Sequence, residues 1–170
     1  MSKKILVIDE GTTSTRAVLF AASGEALGSC QRPLTQHYPA PGLVEHDAEE
    51  IWNLTLECAR EMVAKAGGAD QIAGIGITNQ RETIVFWDAR TGKPLAPAIV
   101  WQDRRTADKC MALRERGEEQ VVQAKTGLLL DPYFSGSKIG WALANWPQLA
   151  EAGAHLRVGS TLCQHRRAGV

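Results

Sequence analysis

The chain has 170 residues, and its 19 lysines and arginines balance 19 aspartates and glutamates, so the formal charge is zero. With 44% hydrophobic and 22% charged residues, the composition is that of an ordinary globular domain. This argues against a disordered chain and against a nucleic-acid binder that works by bulk basicity, which needs cationic excess to displace counterions.

Lys4–Asp9 holds the β-branched run Ile5-Leu6-Val7-Ile8 and reads as a buried strand. The small polar turn Gly11–Thr15 follows, then strands over Arg16–Ala21 and Ala26–Arg32, joined at Ser23-Gly24-Glu25. Connections this short predict an antiparallel meander. Tyr38–Gly42 is loop by its Pro and Gly content. Asp47 with Glu50 three residues on predicts a capped helix. Its core face is Ile51, Leu54, Cys58 and Met62, and Ala66-Gly67-Gly68 ends it. Ile72–Thr78 and Thr83–Trp87 read as strands around the polar insert Asn79-Gln80-Arg81-Glu82, and Ala98–Trp101 is short and apolar. Helices are predicted over Arg105–Arg116, Glu118–Lys125 and Lys138–Asn145, the last stopped by Trp146-Pro147. From Leu156 to Val170 neither helical nor strand periodicity holds, which predicts weak order.

No apolar run approaches the roughly 20 residues that cross a bilayer, and Ile5–Ile8 ends at Asp9 too soon to resemble a signal peptide. Cys30, Cys58, Cys110 and Cys163 form no C-x-x-C pair, so no zinc site or disulfide framework is expected. A cytoplasmic protein with reduced thiols follows.

Four places carry candidate chemistry. In Asp9–Arg16, Gly11 permits close backbone approach. Backbone N–H groups and the hydroxyls of Thr12, Thr13 and Ser14 can donate to phosphate oxygens, Arg16 adds a forked cation, and Asp9 can hold Mg²⁺ directly or through water. A plain hairpin turn with solvated hydroxyls is the alternative. The turn is not the G-x-x-x-x-G-K-[ST] loop that opens a helix. In Asn79–Glu82, Arg81 can donate to one hydroxyl of a polyol while Glu82 accepts from the next; an exposed hairpin tip is the alternative. Trp101 can lie against the C–H face of a polyol or simply pack in a core, and Asp103, Arg104 and Arg105 read as charges at a helix start. Tyr133 can reach a ligand or plug a core. His37, His46, His155 and His165 show no ligand spacing and read as surface or capping histidines, and Trp52, Trp141 and Trp146 as packing residues.

Ile8–Ala17 resembles the amino-terminal phosphate loop of glycerol kinases, within the FGGY carbohydrate-kinase family. The resemblance continues in order through Pro41–Asp47, Gly76–Thr83, Ala98–Arg105, Thr126–Leu128 and Asp131–Lys138, and the ordered set is far more specific than any one block. It implies an α/β, actin-like ATPase domain of the ribonuclease-H-like type, a mixed sheet with flanking helices. It also implies ATP-dependent phosphorylation of glycerol with Mg²⁺. By motif match, Thr12, Thr13 and Ser14 would meet nucleotide phosphates and Arg16 would meet ADP. Asp9 would lie near the metal, and Arg81, Glu82, Trp101 and Tyr133 would form the glycerol pocket. Glu10 stands where many members carry Gln, placing an extra carboxylate near the phosphates. Members are longer, and their general base lies beyond this chain. Residues 1–155 are therefore expected to be an incomplete amino-terminal domain and 156–170 a divergent tail. The carboxy-terminal domain would be absent, and the chain a truncated or frameshifted product, inactive or nearly so by itself. A non-catalytic interaction module, a homo-oligomer built through an exposed sheet face, and a kinase of another polyol or sugar stay open.

Overall fold

A computed structural model describes residues 3–160. The first sheet contains β1 (Lys4–Glu10), β2 (Ser14–Phe20), β3 (Ala26–Pro33) and β5 (Ile72–Asn79), in the order β3-β2-β1-β5. The first three strands form the expected antiparallel meander, and β5 lies parallel to β1. Alternation along β1 and β2 turns Leu6, Ala17 and Leu19 onto α1 (Ala48–Ala66), which meets them with Cys58, Met62 and Ala66. Directly opposed residues share a face. The register pair Asp9 and Arg16 therefore lies on the side of the sheet away from α1, where Arg16 is exposed.

The α1 boundaries follow their local chemistry. The Asp47 side chain accepts from the backbone N–H of Glu49 and Glu50, and Gly67 closes the helix at φ 96°, a left-handed conformation that suits glycine. Glu50 does not complete the expected capping box. Its carboxylate instead accepts from the backbone N–H and hydroxyl of Thr35. Leu54 is only half-buried, and Thr55 is buried in the interior-facing series.

A second sheet holds β4 (Glu45–His46), β6 (Ile84–Asp88), β7 (Ala98–Ile99) and β8 (Leu156–Ser160), in the order β4-β7-β6-β8. β6 is buried along its whole length. Ile84 and Phe86 pack against Ala142 of α4 (Ser135–Asn145) and Leu149 of α5 (Pro147–Glu151), while Val85 and Trp87 pack against Ala48 at the start of α1. Two outer helices, α2 (Ala107–Glu115) and α3 (Glu119–Thr126), complete the described chain.

Two expectations change, and a third is met. The strands around Asn79–Glu82 do not form a hairpin: β5 and β6 belong to different sheets, and the polar insert is the crossing between them. Trp146-Pro147 stops α4 at Asn145 as expected, and Pro147 then opens the separate helix α5, a position where its missing N–H costs nothing. Leu156–Ser160 is not weakly ordered but pairs antiparallel with β6. The rest of the expected tail, His165 and Cys163 included, lies outside the described residues.

Candidate active site

The ends of β1, β5 and β7 converge on the turn Gly11–Thr13. A Cβ on Gly11 would sit 3.0 Å from the Ser14 carbonyl oxygen, so the glycine serves the tightness of the turn itself. The Gln80 backbone N–H donates to the Glu10 carbonyl at 2.7 Å. That bond brings the polar insert directly beside the turn. The indole N–H of Trp101 donates to the Thr12 hydroxyl at 2.8 Å, although 89 positions separate the two residues. The Trp101 ring then meets Tyr133 edge to face, with centroids 5.9 Å apart.

Glu82 has φ +63°, the one non-glycine residue with positive φ among the described residues. Such a conformation costs of order 1 kcal/mol or more and persists only where surroundings enforce it. Here Ser135, at the start of α4, donates both its backbone N–H (2.7 Å) and its hydroxyl (2.6 Å) to Glu82 Oε2. Neither of these bonds uses Oε1. Arg81 is exposed and has no ion pair among the described residues. A cavity of about 550 Å³ opens beside Glu82, lined also by Lys109, Leu113, Leu130, Phe134 and Ser137.

Asp9 and Arg16 form an ion pair at 3.2 Å, both side chains more than a third exposed. Pairs of this kind are weak and exchange readily with other charged partners. The Ser14 hydroxyl accepts from the side chain of exposed Gln31, and Thr13 is exposed. Glu10 does not lie beside the hydroxyls of Thr12, Thr13 and Ser14. It points to the opposite face, fully buried, where the Thr55 hydroxyl reaches it at 3.4 Å.

Several residues packed around these loops escaped sequence reasoning. Lys138 is fully buried and donates to the carbonyls of Pro132 and Tyr133, holding the Tyr133 loop from below. Burial pushes its pKa down to about 8, against the opposing pull of Glu82, Asp103 and Asp131. Its position within the Asp131–Lys138 block was the available signal. His46 is not a surface histidine: it is 1% exposed, and burial lowers its pKa to about 4. Asp103 and Arg105 stand just before α2, as expected of charges at a helix start, but both side chains are buried. Arg105 forks onto Asp103 at 2.8 Å and Glu45 at 2.7 Å, with its side chain 3% exposed, and lies over the Trp141 ring. Trp141 and Trp146 pack edge to face, in line with expectation. Cys30 and Cys58, far apart in sequence, bring their sulfurs to 2.9 Å as free thiols.

Among the described residues no group of three or more His, Cys, Asp or Glu side chains could hold a metal ion. Asp9 alone suits the single-carboxylate or water-mediated binding that Mg²⁺ uses beside phosphates. No helix among the described residues is long and apolar enough to cross a membrane.

Residues 4–165 match the FGGY family of carbohydrate kinases, N-terminal domain. A glycerol kinase of Citrifermentans bemidjiense is 63% identical over 140 residues, covering 82% of this chain and 28% of the relative. Glycerol kinase 1 of Pseudomonas aeruginosa is 53% identical over 167 residues, covering 96% and 34%. Among solved structures, Plasmodium falciparum glycerol kinase with ADP superposes with a TM-score of 0.88 at 31% identity, covering 96% of this chain and 33% of that one. A xylulose kinase from Rhodospirillum rubrum gives 0.83 at 27% identity, covering 95% and 33%. The chain thus spans about a third of the length of the relatives it matches, and its fold is that of the actin-like ATPases.

Proposed function

The chain belongs to the FGGY family of carbohydrate kinases, and from that membership we propose that it carries the phosphate and polyol contacts of an ATP-dependent glycerol kinase forming sn-glycerol 3-phosphate. The bond from the Trp101 indole to the Thr12 hydroxyl supports this most directly. It joins a loop suited to phosphate to a ring suited to a carbon chain.

Phosphoryl transfer depends on positioning and charge stabilisation, with little covalent work for the protein. Backbone N–H groups of the Gly11 turn and the hydroxyls of Thr12, Thr13 and Ser14 cradle the phosphates. Arg16 leaves its weak pairing with Asp9 for the nucleotide phosphates, and Asp9 is the residue that would hold Mg²⁺. When bound, Mg²⁺ supplies neutralisation of phosphate charge. Arg81 donates to one hydroxyl of glycerol, and Glu82 Oε1 accepts from its neighbour while Ser135 keeps Oε2. Trp101 and Tyr133 flank the carbon chain. The remaining hydroxyl faces the transferred phosphate, and its proton goes to a carboxylate supplied from outside these 170 residues. The 170-residue chain alone therefore shows little or no turnover. Its reduced thiols suit the cytoplasm.

Titrating glycerol while following the Trp101 indole resonance tests the reading. Glycerol is expected to shift that resonance, with xylulose weaker and E82A abolishing the effect. Xylulose binding more tightly than glycerol would reassign the substrate. No response to either would remove the polyol site. A second reading, an interaction module, is favoured by one feature: Ile5, Ile75 and Ile77 are exposed on the first sheet.

A further inference from the structure

A closed circuit of hydrogen bonds runs beneath the hydroxyl loop. From Thr12 it passes to the Trp101 indole N–H (2.8 Å), and the Trp101 backbone N–H donates to the Thr83 hydroxyl (3.1 Å). Thr83 donates to Gln80 Oε1 (2.9 Å), and Gln80 Nε2 faces His46 Nδ1 (3.3 Å). His46 Nε2 meets Gln36 Oε1 (2.9 Å), and Gln36 Nε2 donates to the Thr12 carbonyl (3.0 Å), closing the ring. Two side bonds anchor it, from Gln80 Nε2 to the Gly11 carbonyl and from Gln36 Nε2 to the Leu34 carbonyl.

The bonds impose one direction. Because Thr83 donates to Gln80 Oε1, Gln80 presents its amide hydrogens to His46 and Gly11. His46 Nδ1 must then accept, which places the imidazole proton on Nε2, where it donates to Gln36 Oε1. Gln36 turns its own amide hydrogens to Thr12 and Leu34. A doubly protonated imidazole would set donor against donor at Gln80. Burial keeps the ring neutral, with Glu50 favouring the charged form and His37 opposing it.

We propose that His46 is a positioning residue, whose neutral Nε2–H form locks the Gly11–Thr13 loop to Trp101 and so holds phosphate and polyol in one fixed relation. The role rests on the phosphoryl-transfer reading above. It follows from the chemistry: misplacing a reacting group by about 1 Å can cost roughly a hundredfold in rate. The carbonyls of Gly11 and Thr12 are tied inward by Gln80 and Gln36, which leaves the outer side of the loop for a ligand.

The test uses the 170-residue chain. Long-range ¹H–¹⁵N NMR of the His46 ring at neutral pH is expected to report a neutral imidazole protonated at Nε2; a proton on Nδ1 overturns the proposal. Solvent exchange of the Trp101 indole N–H then reads the far side of the circuit. H46L is expected to speed it about tenfold, while H46Q, which keeps a donor and an acceptor, stays near the wild-type rate. H46L that lowers only the melting temperature, with loop and indole resonances unchanged, overturns the role. If H46L does not fold, Q36L opens the same circuit at a half-buried position and is read in the same way. Titration with inorganic tripolyphosphate and Mg²⁺, followed at the Gly11–Ser14 amides, supplies the functional arm. About tenfold weaker binding in H46L with recovery in H46Q supports positioning, and equal binding overturns it. Absence of binding by the wild-type chain overturns the phosphate-loop reading itself, while indole exchange still decides whether His46 sets the loop.

Discussion

At Glu82 a strained backbone and two hydrogen bonds oppose each other within a single residue. Its left-handed backbone is unfavourable for any side chain with a Cβ, and two bonds from Ser135 hold it. Replacing it by Ala and by Gly removes those bonds equally, so the difference between the variants isolates the backbone. E82G is expected to be about 1 kcal/mol more stable than E82A in urea denaturation; equal stability would mean that the backbone relaxes away from φ +63° once the carboxylate is gone. His46 yields a second expectation at this scale. Its pKa falls from 6.5 to about 4 on burial, so its contribution is complete above pH 6.5 and is lost as pH falls toward 4. Relative to H46Q, the wild type should lose up to roughly 3 kcal/mol across that window, measured by urea denaturation at a series of pH values. These two residues also mark what sequence could and could not tell. Glu82 stood out because a charged pair within an apolar β region needs partners. His46 did not, because a lone histidine carries no periodic signal and its partners, Gln36 and Gln80, lie on other elements. Arg81, Trp101 and Tyr133 could be named as candidates from their residue types, but only the fold brings Trp101 to Thr12.

At the scale of elements, local chemistry fixes α1 and long-range charge fixes the segment before α2. The Asp47 cap makes two bonds to the first turn of α1, so D47A should cost about 1 kcal/mol and D47S much less, by thermal or urea unfolding. Arg105 is a larger stake. With Asp103 fully buried and also accepting from the Val44 backbone N–H, R105A leaves buried carboxylates without their cation. A loss of about 3–5 kcal/mol is expected. R105K should not restore it, since an ammonium cannot fork onto Asp103 and Glu45 together. Recovery by lysine would show that charge alone suffices. The capped helix was legible from Asp47 and Gly67, and the meander from its short turns. The split into two sheets was not. Ile72–Thr78 and Thr83–Trp87 read alike as strands, and nothing local says that one pairs with β1 and the other with β7 and β8. Leu156–Ser160 was missed for the same reason: its strand character comes from lying along β6, which is buried on both faces.

For the molecule as a whole, the decisive feature is the open β5 edge of the first sheet. α1 packs on one face, and β5 ends the strand order with no further strand beyond it among the described residues. Ile75 is 60% exposed and Ile77 47%; paired with Leu6 and Ile8, they lie on the face that carries α1, but on a glycine-containing edge strand where they stay open to solvent. Exposed edges with β-branched residues template pairing with another chain, and Gly74 and Gly76 leave little side-chain bulk to block it. The chain by itself is therefore expected to self-associate at about 100 µM, eluting ahead of the monomer position in sizing chromatography with light scattering. The double substitution I75T and I77T keeps strand propensity while removing apolar area. It should return the elution to the monomer and change unfolding stability by no more than about 0.5 kcal/mol, as surface substitutions do. A wild-type chain that is monomeric throughout this range would show that this edge is too small or too twisted to pair, and the interaction-module reading would lose its support. Association that survives the double substitution would place the contact elsewhere, with the outer edge of β3 the next surface to alter.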